Sequence, residues 1–263
     1  MPSGFACAIA PTSVRIYPHD FLKSQKSKRE STKGTGMHVT VIIPALDEEA
    51  AIGEVVRAIP RDLVQEVVVV DNGSRDSTAG VAAAAGARVI REPQRGYGAA
   101  CLAGALAAGA ADILVFLQGD GNDDPAEIPR VLQPLVDRRA DLVIGSRTAA
   151  LTDASGLTPH QRLGNRLVTG LLRLLYGLTL TDIGPFRAIR AHAFSALGME
   201  HKTYGWPVEM IVKAARKGYC IVEVPVSCHK RCGGYSKVSG TLKGSLLAGY
   251  HLLATTLRYA RRR

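Results

Sequence analysis

Four short runs rich in branched aliphatic residues, Val39–Ile43, Glu66–Val70, Ile113–Leu117 and Leu142–Ile144, each stop at a cluster of polar turn-forming residues. Runs this short and this apolar predict strands buried on both faces, the usual condition of a parallel sheet. Helical stretches separate them: Glu48–Ala58, with Ala51, Ile52, Val55 and Ile59 at helical spacing, the small-residue segment Ser77–Ala85, and the alanine-rich Gly98–Gly109. A further short strand is expected over Ala87–Ile90. This alternation implies an α/β fold: a single domain with a mostly parallel, doubly wound sheet and helices on both faces.

In that class, ligands bind beyond the carboxyl ends of the strands. The polar clusters fall there: Pro44-Ala45-Leu46-Asp47-Glu48-Glu49, Asp71-Asn72-Gly73-Ser74-Arg75-Asp76, Gln118-Gly119-Asp120-Gly121-Asn122-Asp123-Asp124 and Gly145-Ser146-Arg147. Asp, Asn, Gly and Ser are also the default turn formers, so each cluster alone reads equally well as a turn. Four of them on one sheet edge point to a shared site.

Charge is unevenly spread. The chain of 263 residues carries a formal +10, yet residues 201–263 hold twelve basic and two acidic side chains, while residues 37–200 are mildly acidic. A basic C-terminal segment suits an anionic membrane surface, a phosphorylated acceptor or nucleic acid. With aromatic residues at 5% and no basic-aromatic motif, nucleic acid ranks last. No stretch of about eighteen uncharged apolar residues is present, so no transmembrane helix is expected. The most apolar run, Leu167–Leu180, reads as a buried helix. Residues 1–36 end in a Ser/Lys/Gly-rich stretch and read as a flexible extension lacking a signal-peptide pattern, with Met37 a candidate translation start. The body is placed at 37–240, followed by a basic amphipathic helix over 241–263. There Leu242, Leu246, Tyr250, Leu253 and Leu257 share a stripe, fit for peripheral membrane contact or for packing on the core. Five scattered cysteines fit a reducing compartment, and Cys228, His229 and Cys232 lack the second ligand pair of a zinc site.

No glycine-rich phosphate loop of the Walker or dinucleotide type is present, which removes the usual signatures of ATP hydrolysis and hydride transfer. What remains is the acidic loop holding Asp120, Asp123 and Asp124. Carboxylates on a turn suit a hard divalent cation such as Mg²⁺ or Mn²⁺, which can hold a nucleoside diphosphate and neutralise it as it leaves.

The segments VIIPALDEE, VVVVDNGSRDST, FLQGDGNDDP and DLVIGSR, in this order and spacing, resemble the inverting family-two glycosyltransferases of GT-A fold. TDIGPFRAIR, GWPVEMIVKAARKG and IVEVPVSCHKRCGGYSKVSGT extend the resemblance toward the polyprenyl- and dolichyl-phosphate hexose synthase branch, covering roughly Val39–Thr241. The resemblance implies a GT-A (Rossmann-like) mixed sheet and transfer of a hexose from a UDP- or GDP-linked sugar to a polyprenyl phosphate. The expected location is peripheral, on the cytosolic face of a membrane. It implies that Pro44, Glu48, Asp71 and Gly119 border the nucleotide, and that Asp120, with Asn122 and Gln118, holds the metal. Arg147 and Arg187 match basic positions near the donor phosphates and the acceptor; Arg162, Arg231, Ser236 and Lys237 complete the acceptor side.

Two positions depart from the family pattern. Gln118 stands where the first Asp of the DXD motif is expected, removing one anionic ligand, and Asn72 stands where Asp is frequent. A hydroxyl acceptor normally needs a general base, for which Glu209 is the candidate, with a salt-bridged helical Glu as its bland alternative; a lipid phosphate needs cations instead. Alternatives that share the fold are a soluble or protein acceptor, and a catalytically weak nucleotide-binding protein suggested by Gln118.

Overall fold

The computed structural model describes residues 15–16, 36–149, 157–229 and 251–259. Its strands are β1 (Arg15–Ile16), β2 (Val39–Ala45), β3 (Glu66–Asp71), β4 (Arg88–Arg91), β5 (Ile113–Phe116), β6 (Leu142–Ser146), β7 (Arg187–Arg190) and β8 (Ile221–Pro225). They form one sheet in the order β1-β8-β6-β7-β5-β2-β3-β4, parallel throughout except for β7, which runs against both β5 and β6. Two reversals at β7 leave β6 pointing the same way as β2, β3 and β5. All four polar clusters therefore emerge at one edge, as the sequence implies.

Helices cover both faces: α1 (Ile52–Ala58), α2 (Thr78–Ala84), α3 (Tyr97–Ala107), α4 (Ile128–Val136), α5 (Pro159–Tyr176), α6 (Ala191–Leu197), α7 (Trp206–Arg216) and α8 (residues 251–259). The strands divide their side chains by parity. Ile42, Val68, Val70, Leu114 and Phe116 enter one core with residues of α3, α5, α6 and α7. Val41, Ile43, Val67, Val69, Ile113 and Val115 enter the other, with α1 and α4. Each such fully buried aliphatic side chain contributes roughly 1.5–3 kcal/mol.

Most boundaries shift by one or two residues from the sequence expectation, and the first strand and helix show how. β2 runs through Pro44 to Ala45, whereas Pro44 was expected to stop it. Pro44 shares its parity with Ile42, whose carbonyl accepts from Leu117 N, so the missing N–H faces the β5 side, where that ladder has already ended at Phe116. α1 is regular from Ile52 instead of Glu48; the Glu48 carbonyl accepts from Ile52 N, and the N–H groups of Asp47, Glu48 and Glu49 are taken by the side chains of Ser74, Thr78 and Asp76. The expectation of a buried helix over Leu167–Leu180 is corrected: α5 buries only Asn165, Val168 and Leu172. No helix of the described residues is long and apolar enough to cross a membrane. Within α8, Thr255, Thr256 and Tyr259 are buried, which is the core-packed alternative for this segment; Leu242, Leu246 and Tyr250 lie outside the described residues.

Candidate active site

The first two polar loops are sewn together. Asp47, in the left-handed region at φ 49°, donates its N–H to Ser74 Oγ and accepts from Arg75 N at 2.8 Å. Glu48 N donates to Thr78 Oγ1 at 2.8 Å, and Ser77 N donates to Glu49 Oε2 at 2.9 Å. Asp71, buried at the end of β3, accepts from Ser74 N at 2.9 Å, closing a turn through Gly73 at φ 87°. Asn72 then fixes a third segment. Its Nδ2 donates to the Glu92 and Gln94 carbonyls at 2.9 and 2.8 Å, and its Oδ1 accepts from Gly96 N at 2.8 Å. Three partners of fixed character set the amide orientation.

The acidic loop follows β5. Asp120 accepts from Asn122 N at 3.1 Å and from Asn122 Nδ2 at 3.2 Å, so the amide braces the carboxylate. Asp123 is 1% exposed; its Oδ2 accepts from Gln118 N at 3.1 Å, while its Oδ1 is buried without a hydrogen-bond partner. Burial first, and then the nearby Asp120 charge, pushes the Asp123 carboxyl up to about 7. Gly119 sits where a Cβ would come within 3.2 Å of Ile52 and 3.3 Å of Ile43. His229 joins from beyond β8, donating its backbone N–H to the Asn122 carbonyl at 2.9 Å, with Nε2 3.8 Å from Asp124 Oδ2. Among the described residues, no three His, Cys, Asp or Glu side chains are arranged to hold a metal by themselves.

Arg147, just past β6, is clasped by Asp182 through Nε and Nη2 at 2.8 and 2.9 Å. Burial disfavours the guanidinium charge, but Asp182 and then Asp123 outweigh it and raise its pKa. Asp182 is in turn positioned by Glu223, a fully buried acid in the middle of β8 that accepts the N–H groups of Thr181 and Asp182 at 3.0 Å. Sequence reasoning missed both acids. An acidic side chain inside the aliphatic run Ile221–Pro225 was the available signal, since such a charge demands partners. Gly184 allows the close approach that holds this corner together, because a Cβ there would lie 2.2 Å from the Gly145 carbonyl oxygen.

Beside this clasp opens a cleft of about 250 Å³ lined by Thr148, Arg162, Asn165, Arg166 and Thr181. Of these, only Arg162 was anticipated.

Two expected side chains are used otherwise. Arg187 is wholly buried, donating to the carbonyls of Pro207, Ile183 and Gly184 and lying 5.8 Å from the Trp206 ring centre. It braces the core instead of facing an acceptor. Glu209 accepts from Glu200 N, His201 N, Lys213 Nζ and Tyr259 Oη, all within 2.9 Å. Its burial favours the neutral form, yet these donors, Lys213 first, prevail and lower its pKa, so it is the braced helical Glu and not a poised base. Pro44 and Glu48 border the same edge; Arg231, Ser236 and Lys237 lie outside the described residues.

A mixed, mainly parallel sheet with acidic and basic loops gathered at its carboxyl edge defines the GT-A class of glycosyltransferases. The chain belongs to glycosyl transferase family 2, which matches residues 40–198. It is 41% identical over 217 residues to an uncharacterized glycosyltransferase of Mycobacterium tuberculosis, covering 81% of this chain and 95% of that protein. It is 34% identical to an undecaprenyl-phosphate mannosyltransferase of Micrococcus luteus, covering 79% and 90%. Among solved structures, it is similar to glucosyl-3-phosphoglycerate synthase from Mycobacterium tuberculosis in complex with Mn²⁺, UDP-glucose and phosphoglyceric acid. The TM-score is 0.70 at 26% identity, covering 88% of this chain and 82% of that one.

Proposed function

We propose that this glycosyltransferase moves a hexosyl group from a UDP- or GDP-linked sugar to a polyprenyl phosphate, with inversion at the anomeric carbon. The observation that carries the acceptor reading is the cleft lined by Arg162 and Arg166, one residue away from the Arg147–Asp182 clasp. Arginine pairs suit a phosphate monoester by charge and by fork geometry. Such a phosphate is already anionic near neutral pH and needs no general base, consistent with the engagement of Glu209.

Pro44, Glu48, Asp71 and Gly119 border the nucleoside side. The loop offers oxygen donors only, from Asp120, Asn122 and Gln118, with the orphaned Asp123 Oδ1 behind them. That set fits Mg²⁺ or Mn²⁺ with few protein ligands, leaving coordination positions to diphosphate oxygens and water. When bound, the cation supplies charge neutralisation at the leaving diphosphate. An acceptor phosphate oxygen forms the new bond at the anomeric carbon, and the bond to the nucleoside diphosphate breaks on the opposite face, taking its electron pair. Arg147 holds the two anionic groups near each other, with Arg231, Ser236 and Lys237 as further acceptor contacts.

Purified protein with Mn²⁺ or Mg²⁺ is expected to release nucleoside diphosphate from one sugar nucleotide of a UDP and GDP panel only when polyprenyl phosphate is present. Turnover with phosphoglycerate and none with polyprenyl phosphate overturns the acceptor assignment. That second reading, a small soluble phosphorylated acceptor, is favoured by the likeness to the enzyme solved with phosphoglyceric acid.

A further inference from the structure

Among the described residues, one face of α5 is left unpartnered. Leu163, Leu167 and Leu174 are 60%, 55% and 79% exposed, three of the five large hydrophobic side chains exposed among the described residues. Single exposed leucines are ordinary on a protein surface, but three on one stripe are not. At about 100° per residue, these three and Gly170 fall within roughly 60° of one another, opposite the buried Asn165, Val168 and Leu172. Arg162, Arg166 and Arg173, all exposed, form a row along one flank of that stripe. This flank is the side on which Arg162 and Arg166 line the cleft. The helix contains no acidic residue.

We propose that α5 lies flat on an anionic lipid surface. The leucines enter the boundary between headgroups and acyl chains, and the arginine row meets lipid phosphates, bringing the cleft to the level where a lipid-borne phosphate is presented. A second copy of the chain is a poor occupant, because a two-fold pairing of this face sets arginines against arginines with no carboxylate between them. The inference rests on the polyprenyl phosphate reading only for what enters the cleft.

The full chain, without donor, is expected to sediment with vesicles of equal parts phosphatidylglycerol and phosphatidylcholine. Binding to phosphatidylcholine alone should be about tenfold weaker or less. Leu167→Glu with Leu174→Glu should cut binding to the anionic vesicles by about tenfold or more, whereas Leu106→Glu, at the 84% exposed leucine of α3, should leave it unchanged. The double variant should keep its thermal transition and its turnover on a short-chain, water-soluble polyprenyl phosphate, for which no surface is needed. Wild type that ignores anionic vesicles, or a double variant that binds them equally, overturns the inference. So does a double variant that turns a dimer into a monomer with vesicle binding intact. Vesicle binding without turnover on any polyprenyl phosphate supports the surface and defeats the acceptor reading instead.

Discussion

The carboxylate of Asp182 receives the side chain of Arg147 in bidentate fashion and also accepts Arg147's own backbone N–H at 2.9 Å. Asp182 is fully buried, while 16% of the Arg147 side chain is exposed. The pair therefore fixes which way the guanidinium faces as much as it stabilises the loop. Asp182→Asn leaves a buried guanidinium without its counter-charge and is expected to cost about 3–5 kcal/mol in thermal or denaturant unfolding. Arg147→Lys keeps the charge but not the fork, so nucleoside diphosphate release should fall about tenfold or more. A Lys variant with wild-type turnover shows that the fork has no positioning role.

Glu223 governs that corner from below and makes its stability pH-dependent. Burial first, opposed by hydrogen bonds from Thr181 and Asp182 and reinforced by the Asp182 charge, pushes its carboxyl up to about 7, from an ordinary value near 4.5. A raised acid binds more protons folded than unfolded. Its contribution is therefore whole below pH 4.5 and declines as pH rises to about 7. Glu223→Gln cannot titrate, so wild type should lose ground to the variant across that window by on the order of 3 kcal/mol. Unfolding curves measured on both proteins from about pH 4 to 8 check this, and parallel curves refute it.

Much of this architecture is legible in the sequence because period and punctuation carry it. Glu66–Asp71 and Ile113–Phe116 are strands buried on both faces, so no alternation obscures them, and their ends coincide with Asp71 and the acidic loop. β7 was not foreseen, since Arg187–Arg190 opens and closes with arginine and its pairing partners are remote in sequence. For the same reason Arg187 was placed near the donor phosphates and the acceptor. Only tertiary contacts reveal that its two Nη nitrogens donate to the backbone carbonyls of Pro207, Ile183 and Gly184. The arginine cleft combines residues from the β6 end, α5 and the segment before β7, a convergence that spacing alone does not encode.

Asn72 is a departure from the family pattern that the structure explains. Its amide nitrogen faces two carbonyl oxygens, Glu92 and Gln94. Asn72→Asp sets a carboxylate against both and leaves no donor for either. The substitution is expected to cost about 1–3 kcal/mol in unfolding experiments. It should also raise the KM for the sugar nucleotide more than it lowers kcat, because Asn72 joins the Asp71 turn to the Gly96 segment without facing the acidic loop.

The other departure, Gln118, makes metal use the most discriminating measurement. Asp120 is held by Asn122 N and Nδ2, and the buried Asp123 accepts from Gln118 N, so the loop is preorganised but lacks the charge that a DXD motif carries at position 118. Gln118→Asp restores one charge. Like-charge repulsion of the added carboxylate with Asp120 and Asp123 disfavours the metal-free loop, and a divalent cation relieves it, so the half-saturating Mn²⁺ should fall about tenfold. Asp120→Asn removes charge while keeping shape and should raise it by about a hundredfold. Calorimetric Mn²⁺ titration in the presence of UDP or GDP reads both effects without requiring turnover. An Asp120→Asn protein that binds Mn²⁺ like wild type removes Asp120 from the coordination shell.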